Sequence, residues 1–247
     1  MAAWTVDEAL GALPRPACPP NVLRESSTLA GRIDHTLLKA DATRAAIDRL
    51  CAEARENGFA SVCVNGRWVP RAVENLAGSR VMVCTVAGFP LGAASPGAKA
   101  LEAALAVEQG AGEVDMVMDL GGLLSGDLSA VFEDLRGVVR AARGRPVKVI
   151  LETCLLSDEQ KAVACLLAVR AGCAYVKTST GLSRGGATRD DVRLMRAMVG
   201  ELLGVKASGG IRDRRTAEAM LAAGADRLGT SASVAIVRDA GTEAGPA

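Results

Sequence analysis

Amphipathic segments of helical period alternate with short apolar runs along most of this chain. TRAAIDRLCAEAREN (43–57) and PGAKALEAALAVEQ (96–109) are two of the helical segments. Each repeats apolar residues three and four apart, which lays one apolar stripe along a helix. Such segments end at glycines: Gly58, Gly110, Gly172 and Gly224 each precede an apolar run. Glycine relieves the left-handed backbone that closes a helix. The apolar runs begin near residues 31, 59, 80, 113, 147, 174, 204 and 226. They predict parallel strands buried on both faces, with helices between them.

Eight such units in a chain of 247 residues predict an α/β protein of one domain, a closed (β/α)8 TIM barrel. An open doubly wound sheet is the alternative, but no GxGxxG follows the first run. Residues 1–29, with Pro14, Pro16, Pro19 and Pro20, read as an extra N-terminal helix and a proline-rich connector that cap the bottom of the barrel. The barrel is expected over 30–237, and 238–247 as a frayed tail.

Composition narrows the partners. The net charge is +1 and aromatics are 2% of residues, so neither a nucleic-acid footprint nor a base-stacking platform is expected. The longest apolar runs fall short of the ~18 residues of a membrane helix. Asp7 and Glu8 stand where a signal peptide would carry basic residues. The seven cysteines form no CxxC pair, which suits a reducing, cytoplasmic setting.

Lysine usage points to chemistry. Six lysines stand against 23 arginines, yet three of the six lie in apolar runs: Lys148 in VKVILE, Lys177 in AYVKTST and Lys206 in GVKASGG. Burying a lysine is costly unless it is paired. For Lys148, an ion pair with Glu152 on the same strand face is expected. Lys177 and Lys206 end consecutive strands and are expected side by side at the catalytic face, where two ammonium groups repel and one loses its proton more easily. A neutral lysine amine is a nucleophile able to form a Schiff base.

Two loops read as a phosphate cradle: SGGIRD with Gly209 and Gly210, and LGTSAS with Gly229, Thr230 and Ser231. They follow the seventh and eighth strands, where barrels commonly bind phosphate. Ser179, Thr180 and Gly181 could form a third side. In EVDMVMD, Glu113, Asp115 and Asp119 share one strand face. One of them could stay ionised beside the lysines and relay protons; spacing does not choose between Asp115 and Asp119. The only histidine, His35, is expected to be structural, with Asp34 and Thr36 beside it facing the site. Cys63 could line the pocket or serve the core. One histidine and no cysteine cluster give no usual zinc spacing, so no metal and no cofactor are expected.

IDHTLLKADAT, GFASVCVN, TVAGFPLG, EVDMVM, VKVILET, VKTSTG, GVKASGGIRD and RLGTS, in this order over residues 30–237, resemble the deoxyribose-phosphate aldolase family. VKTSTG together with VKASGGIR is the specific pair. The resemblance implies a (β/α)8 class I aldolase that reversibly cleaves 2-deoxy-D-ribose 5-phosphate to D-glyceraldehyde 3-phosphate and acetaldehyde. It implies Lys177 as the Schiff-base lysine, Lys206 as the second lysine that eases its deprotonation, and Asp115 as the proton relay. Asp34 and Thr36 would help position the substrate and a water, and Thr180, Gly181, Gly209, Gly210, Gly229 and Ser231 would surround the phosphate. Partners would be a sugar phosphate and an aldehyde, and the chain itself in a homo-oligomer, dimer or tetramer. The sequence departs from the family at Leu182, at Gly66, and in a tail without tyrosine, the only tyrosine being Tyr175. A Schiff-base aldolase or transaldolase of another sugar phosphate, and a non-catalytic phosphosugar-binding barrel, are the rival readings.

Overall fold

The computed structural model describes residues 26–239. The expected N-terminal helix, its proline-rich connector up to residue 25, and the tail from residue 240 lie outside the described residues.

Eight parallel strands close into a barrel in chain order: β1 (Ile33–Leu37), β2 (Ser61–Val64), β3 (Met82–Ala87), β4 (Glu113–Val117), β5 (Val147–Ile150), β6 (Tyr175–Lys177), β7 (Gly204–Ser208) and β8 (Arg227–Thr230), with β8 pairing back to β1. Around them lie α1 (Arg44–Asn57), α2 (Val69–Asn75), α3 (Pro96–Glu108), α4 (Leu120–Ser125), α5 (Leu128–Ala141), α6 (Asp158–Ala171), α7 (Arg189–Val199), α8 (Arg214–Ala222) and α9 (Ser233–Arg238).

Local chemistry accounts for the helix boundaries. Ser157 and Gln160 form a reciprocal capping box at the start of α6, and Gly172 closes that helix at φ 81°. Thr43 caps α1, which stops at Gly58 with φ 67°. α5 buries Val131, Phe132, Leu135 and Val138, one stripe at helical spacing. Truncating Leu135 to alanine would cost about 2–5 kcal/mol.

The strands are buried over most of their length, with Thr36 and Leu37 of β1 and Met82 and Val86 of β3 half-buried, and their two faces differ in kind. Val62, Val64, Val114, Met116, Val149, Val176, Val205 and Leu228 pack outward into the apolar core beneath the helices. The alternate positions point into the barrel, and seven of them are charged: Asp34, Glu113, Asp115, Lys148, Lys177, Lys206 and Arg227 are all at most 4% exposed, beside inward-facing Val117, Ile150 and Tyr175. The barrel is therefore held by an apolar outer shell around an ionic interior.

Candidate active site

Strand register assembles the interior. Lys177 lies opposite Lys206, Asp115 opposite Lys148, and Asp34 opposite Gly229. The Asp115 carboxylate is the hub. Its Oδ1 accepts from Lys148 Nζ at 2.8 Å, and its Oδ2 accepts from both Lys177 and Lys206 at 2.7 Å. Lys177 and Lys206 are thus neighbours, but with a carboxylate oxygen between them rather than in bare repulsion. Burial alone would raise the Asp115 carboxyl, but the Lys148, Lys177 and Lys206 cations outweigh it and hold the group well below the usual range.

The three lysines differ in how firmly they are held. Lys148 contacts Glu113 at 2.6 Å, Asp115 at 2.8 Å and Asp34 at 3.8 Å. Lys206 contacts Asp34 at 2.5 Å and Asp115 at 2.7 Å. Burial disfavours both ammonium groups, yet the surrounding carboxylates prevail and both are raised above the ordinary lysine value. Lys177 touches Asp115 alone among the described carboxylates, and it is 3% exposed where Lys148 and Lys206 are fully buried. It is the lysine of the three that gives up the least ion pairing when its nitrogen forms a new bond.

Asp34 is fully buried beneath this layer. Arg227 and Ser61 both reach its Oδ1 at 2.7 Å, and Lys206 reaches its Oδ2. Burial would raise its carboxyl; Lys206, Arg227 and Lys148 instead hold it far down. It anchors Lys206, while Thr36 turns its hydroxyl onto the Asp34 carbonyl at 2.8 Å. His35 points the other way, between Ser233 and Glu53 at 2.8 Å each, a satisfied structural residue. Cys63 lies in register with Cys84, and their sulfurs lie within 4.8 Å of each other and of the Asp115 carboxylate.

Two expectations are corrected. Lys148 does not pair with Glu152. Glu152 adopts φ 51°, which turns it out of the strand alternation, and its carboxylate accepts from Thr180 Oγ1 at 2.5 Å. Asp119 lies beyond β4 and caps α4, accepting from Gly122 N at 3.0 Å. That leaves Glu113 and Asp115 as the inward carboxylates of β4, with Asp115 alone touching Lys177. A third feature escaped the sequence spacing: Cys63, Cys84 and Asp115, and likewise Asp34, Cys84 and Glu113, cluster tightly enough to resemble a metal-ligand set. Their carboxylates are already in contact with the lysine ammonium groups.

At the mouth, the loops after β6 and β7 meet on glycines. A Cβ on Gly209 would lie 3.0 Å from Gly186 Cα and 3.4 Å from Gly181 Cα, so the backbones touch where side chains would intervene. Gly209 (φ 87°) and Gly210 (φ 80°) hold left-handed conformations, and among the described residues beyond its chain neighbours no atom lies within 4 Å of a Cβ built on Gly210. Gly210 therefore presents open backbone. Thr180 is occupied, donating to Glu152 and accepting from Leu182 N at 3.1 Å. Gly229 has another reason for lacking a side chain: a Cβ there would lie 2.4 Å from Ser208 Oγ and 3.0 Å from Lys206 Cε. Ser231, after β8, is exposed and borders a cavity of about 510 Å³ with Thr36, Lys39 and Arg49. Gly186 was not singled out from the sequence, since only the meeting of two loops reveals it. Lys99 was missed as well: it is fully buried behind β4, 2.7 Å from Asp134.

Known proteins resemble this architecture closely. The family model described as DeoC/LacD family aldolase matches residues 28–242. The deoxyribose-phosphate aldolase of Geobacillus sp. (strain WCH70) is 59% identical over 212 residues, which cover 85% of this chain and 95% of that protein. That of Brevibacillus brevis (strain 47) is 60% identical over 210 residues, with the same coverage. Among solved structures, the deoxyribose phosphate aldolase of Aeropyrum pernix, described as having a unique tetrameric structure, superposes with a TM-score of 0.81 at 36% identity, covering 88% of this chain and 94% of that one. With its barrel, its lysine pair and matches over this length, the chain belongs to the DeoC/LacD aldolase family.

Proposed function

We infer that this protein is a deoxyribose-phosphate aldolase, a class I carbon–carbon lyase. It reversibly cleaves 2-deoxy-D-ribose 5-phosphate to D-glyceraldehyde 3-phosphate and acetaldehyde, in the catabolism of deoxynucleosides. The observation that carries the reading is a buried lysine, Lys177, paired to one carboxylate that is also held by two other cations.

The Lys177 amine attacks the C1 aldehyde of the open-chain sugar, and the carbinolamine loses water to give a protonated imine. A water held by Asp115 takes the C3 hydroxyl proton. The C2–C3 bond breaks, its electron pair flows into the imine to leave an enamine, and glyceraldehyde 3-phosphate departs. Protonation of the enamine at C2 restores the imine, and hydrolysis releases acetaldehyde and free Lys177. The charge state of Asp115 suits a hub that orients this water; as a carboxylate held far below its ordinary range it stores no proton itself. Lys206, kept cationic beside it, supplies a proton to the water that Asp115 orients and recovers it from that water. Asp34 orients Lys206 from below. Thr36 and Cys63 border the reacting carbons, and the Gly181–Gly209–Gly210 backbone, Thr180, Gly229 and Ser231 form the phosphate end.

The imine is the electron sink, so the mechanism calls for neither a metal nor an organic cofactor. No helix among the described residues is long and apolar enough to cross a membrane. The cytoplasm is the proposed location, and a homo-oligomer, dimer or tetramer, the proposed assembly. Exposed Leu101 and Leu105 on α3 offer an apolar face for it.

Turnover tests the reading. Deoxyribose 5-phosphate should yield glyceraldehyde 3-phosphate and acetaldehyde in equal amounts, and fructose phosphates should yield nothing. Cleavage of fructose phosphates with inert deoxyribose 5-phosphate would transfer the chain to another sugar-phosphate aldolase activity.

A further inference from the structure

Lys177 and Lys206 are register partners on β6 and β7. Two residues further along each strand line, on the same side of the ribbon, come Ser179 and Ser208, so KTS and KAS run in parallel. The pairing continues past the end of β6: Thr178 N donates to Lys206 O at 3.0 Å, and the Thr178 hydroxyl bridges Ser208 N and Ser208 O at 3.0 Å each. The two serines therefore form a layer above the two lysines, toward the mouth.

Ser179 is fully buried and Ser208 is 5% exposed, yet neither hydroxyl has a hydrogen-bond partner among the described residues. The contrast with their neighbours is sharp. The hydroxyls of Ser61, Thr85, Thr178, Thr230 and Ser233 all have partners; Thr153, in the turn after β5, is the other exception. Buried hydroxyls without partners destabilise a fold and call for an explanation. The sequence also makes room for them. Gly229 leaves the space that the Ser208 hydroxyl occupies, and Gly209 passes 3.5 Å from Ser179 Cβ, measured from the Cβ it lacks.

We propose that Ser179 and Ser208 form a two-hydroxyl subsite that binds the C4 hydroxyl of the open-chain sugar, and so set a preference for hydroxylated aldehydes in the synthetic direction. The inference rests on the aldolase reading above. That reading puts C1 at Lys177 and the phosphate at the Gly209–Gly210 backbone, and Ser208 stands between Lys206 and Gly209 in the chain. The middle of the substrate carries two hydroxyls. The C3 hydroxyl loses its proton in the cleavage, which leaves the C4 hydroxyl for the serines. A hydroxyl donates one hydrogen bond and accepts two, so one C4 hydroxyl can engage both serines at once. Thr180 does not compete for this role, because its hydroxyl is bound to Glu152.

The test compares Ser179→Ala, Ser208→Ala and the double variant with the natural enzyme. Each is measured for kcat/KM on deoxyribose 5-phosphate, for kcat/KM on its 4-deoxy analogue, and for melting temperature. Each single variant should lose about tenfold on deoxyribose 5-phosphate, the worth of one hydrogen bond. The 4-deoxy analogue should change little, so the discrimination between the two substrates collapses. The melting temperature should hold or rise, because a methyl group replaces a hydroxyl that had no partner. Equal losses on both substrates, or activity falling in step with the melting temperature, would assign the serines to packing and overturn the proposal; so would unchanged kcat/KM on deoxyribose 5-phosphate. Natural enzyme without turnover of deoxyribose 5-phosphate would instead refute the aldolase reading itself.

Discussion

Replacing Asp115 with asparagine keeps the side-chain shape and removes one charge from the centre of the barrel. Among the described residues the interior holds four cations (Lys148, Lys177, Lys206 and Arg227) against three carboxylates (Asp34, Glu113 and Asp115). Asp115→Asn leaves the same cations against two carboxylates. It deletes three ion pairs of 2.7–2.8 Å at positions no more than 3% exposed. Removing one partner of a buried pair costs about 3–5 kcal/mol. For a domain of this size each kcal/mol lowers the melting temperature by roughly 2–4 °C, so a fall of about 6–20 °C is expected at neutral pH. The pH dependence has a definite sign. The Asp115 carboxyl is depressed in the folded state, so its contribution is present above the unfolded value of 3.8 and is lost as the pH falls toward the folded value. Urea unfolding of both proteins across pH should show a constant stability gap from neutral pH to about 5, narrowing below about 4. Turnover of the variant should fall with its stability restored by cold or osmolyte. A variant with unchanged melting temperature and full turnover would refute the idea that one carboxylate organises the lysines.

Lys206→Met should slow formation of the reducible adduct at neutral pH and recover part of it at higher pH, where more free amine exists; an unmoved pH–rate limb would contradict the role given to Lys206. Gly210→Ala should lower kcat/KM on deoxyribose 5-phosphate far more than on unphosphorylated deoxyribose, because the added methyl meets open space where the phosphate is proposed to lie; equal losses would mean that backbone strain at φ 80° alone is responsible. Lys99→Met should cost about 3–5 kcal/mol by stranding Asp134, and the further change Asp134→Leu should restore most of it, both read by urea unfolding. Exhaustive chelation should leave turnover unchanged, and added zinc, magnesium or manganese should not raise it; activity lost on chelation and regained with one of these ions would overturn Schiff-base chemistry.

The barrel was legible because its signals are local. Gly58, Gly110, Gly172 and Gly224 mark where helices stop, and each does hold a left-handed backbone. Three lysines in apolar strands were enough to point at a covalent mechanism. What stayed hidden depends on register between strands. Spacing along one strand matches Lys148 to Glu152, but its carboxylate partners come from β1 and β4. The positive φ of Glu152 reverses its direction, and nothing in VKVILET signals that. Asp119 continues the alternation of β4 on paper, yet the chain has already turned into α4. Gly229 reads like a phosphate glycine, while its immediate packing reason is the space taken by Ser208 and Lys206. The Cys63–Cys84 pair and the Lys99–Asp134 pair join residues 21 and 35 positions apart, separations at which no periodicity operates.

The most direct measurement is borohydride reduction in the presence of acetaldehyde, followed by peptide mass mapping. The account predicts one ethyl group on Lys177, no modification of Lys148 or Lys206, and loss of both the adduct and turnover in a folded Lys177→Ala variant. A reduced adduct at another lysine in that variant, or turnover that persists without any adduct, would contradict it.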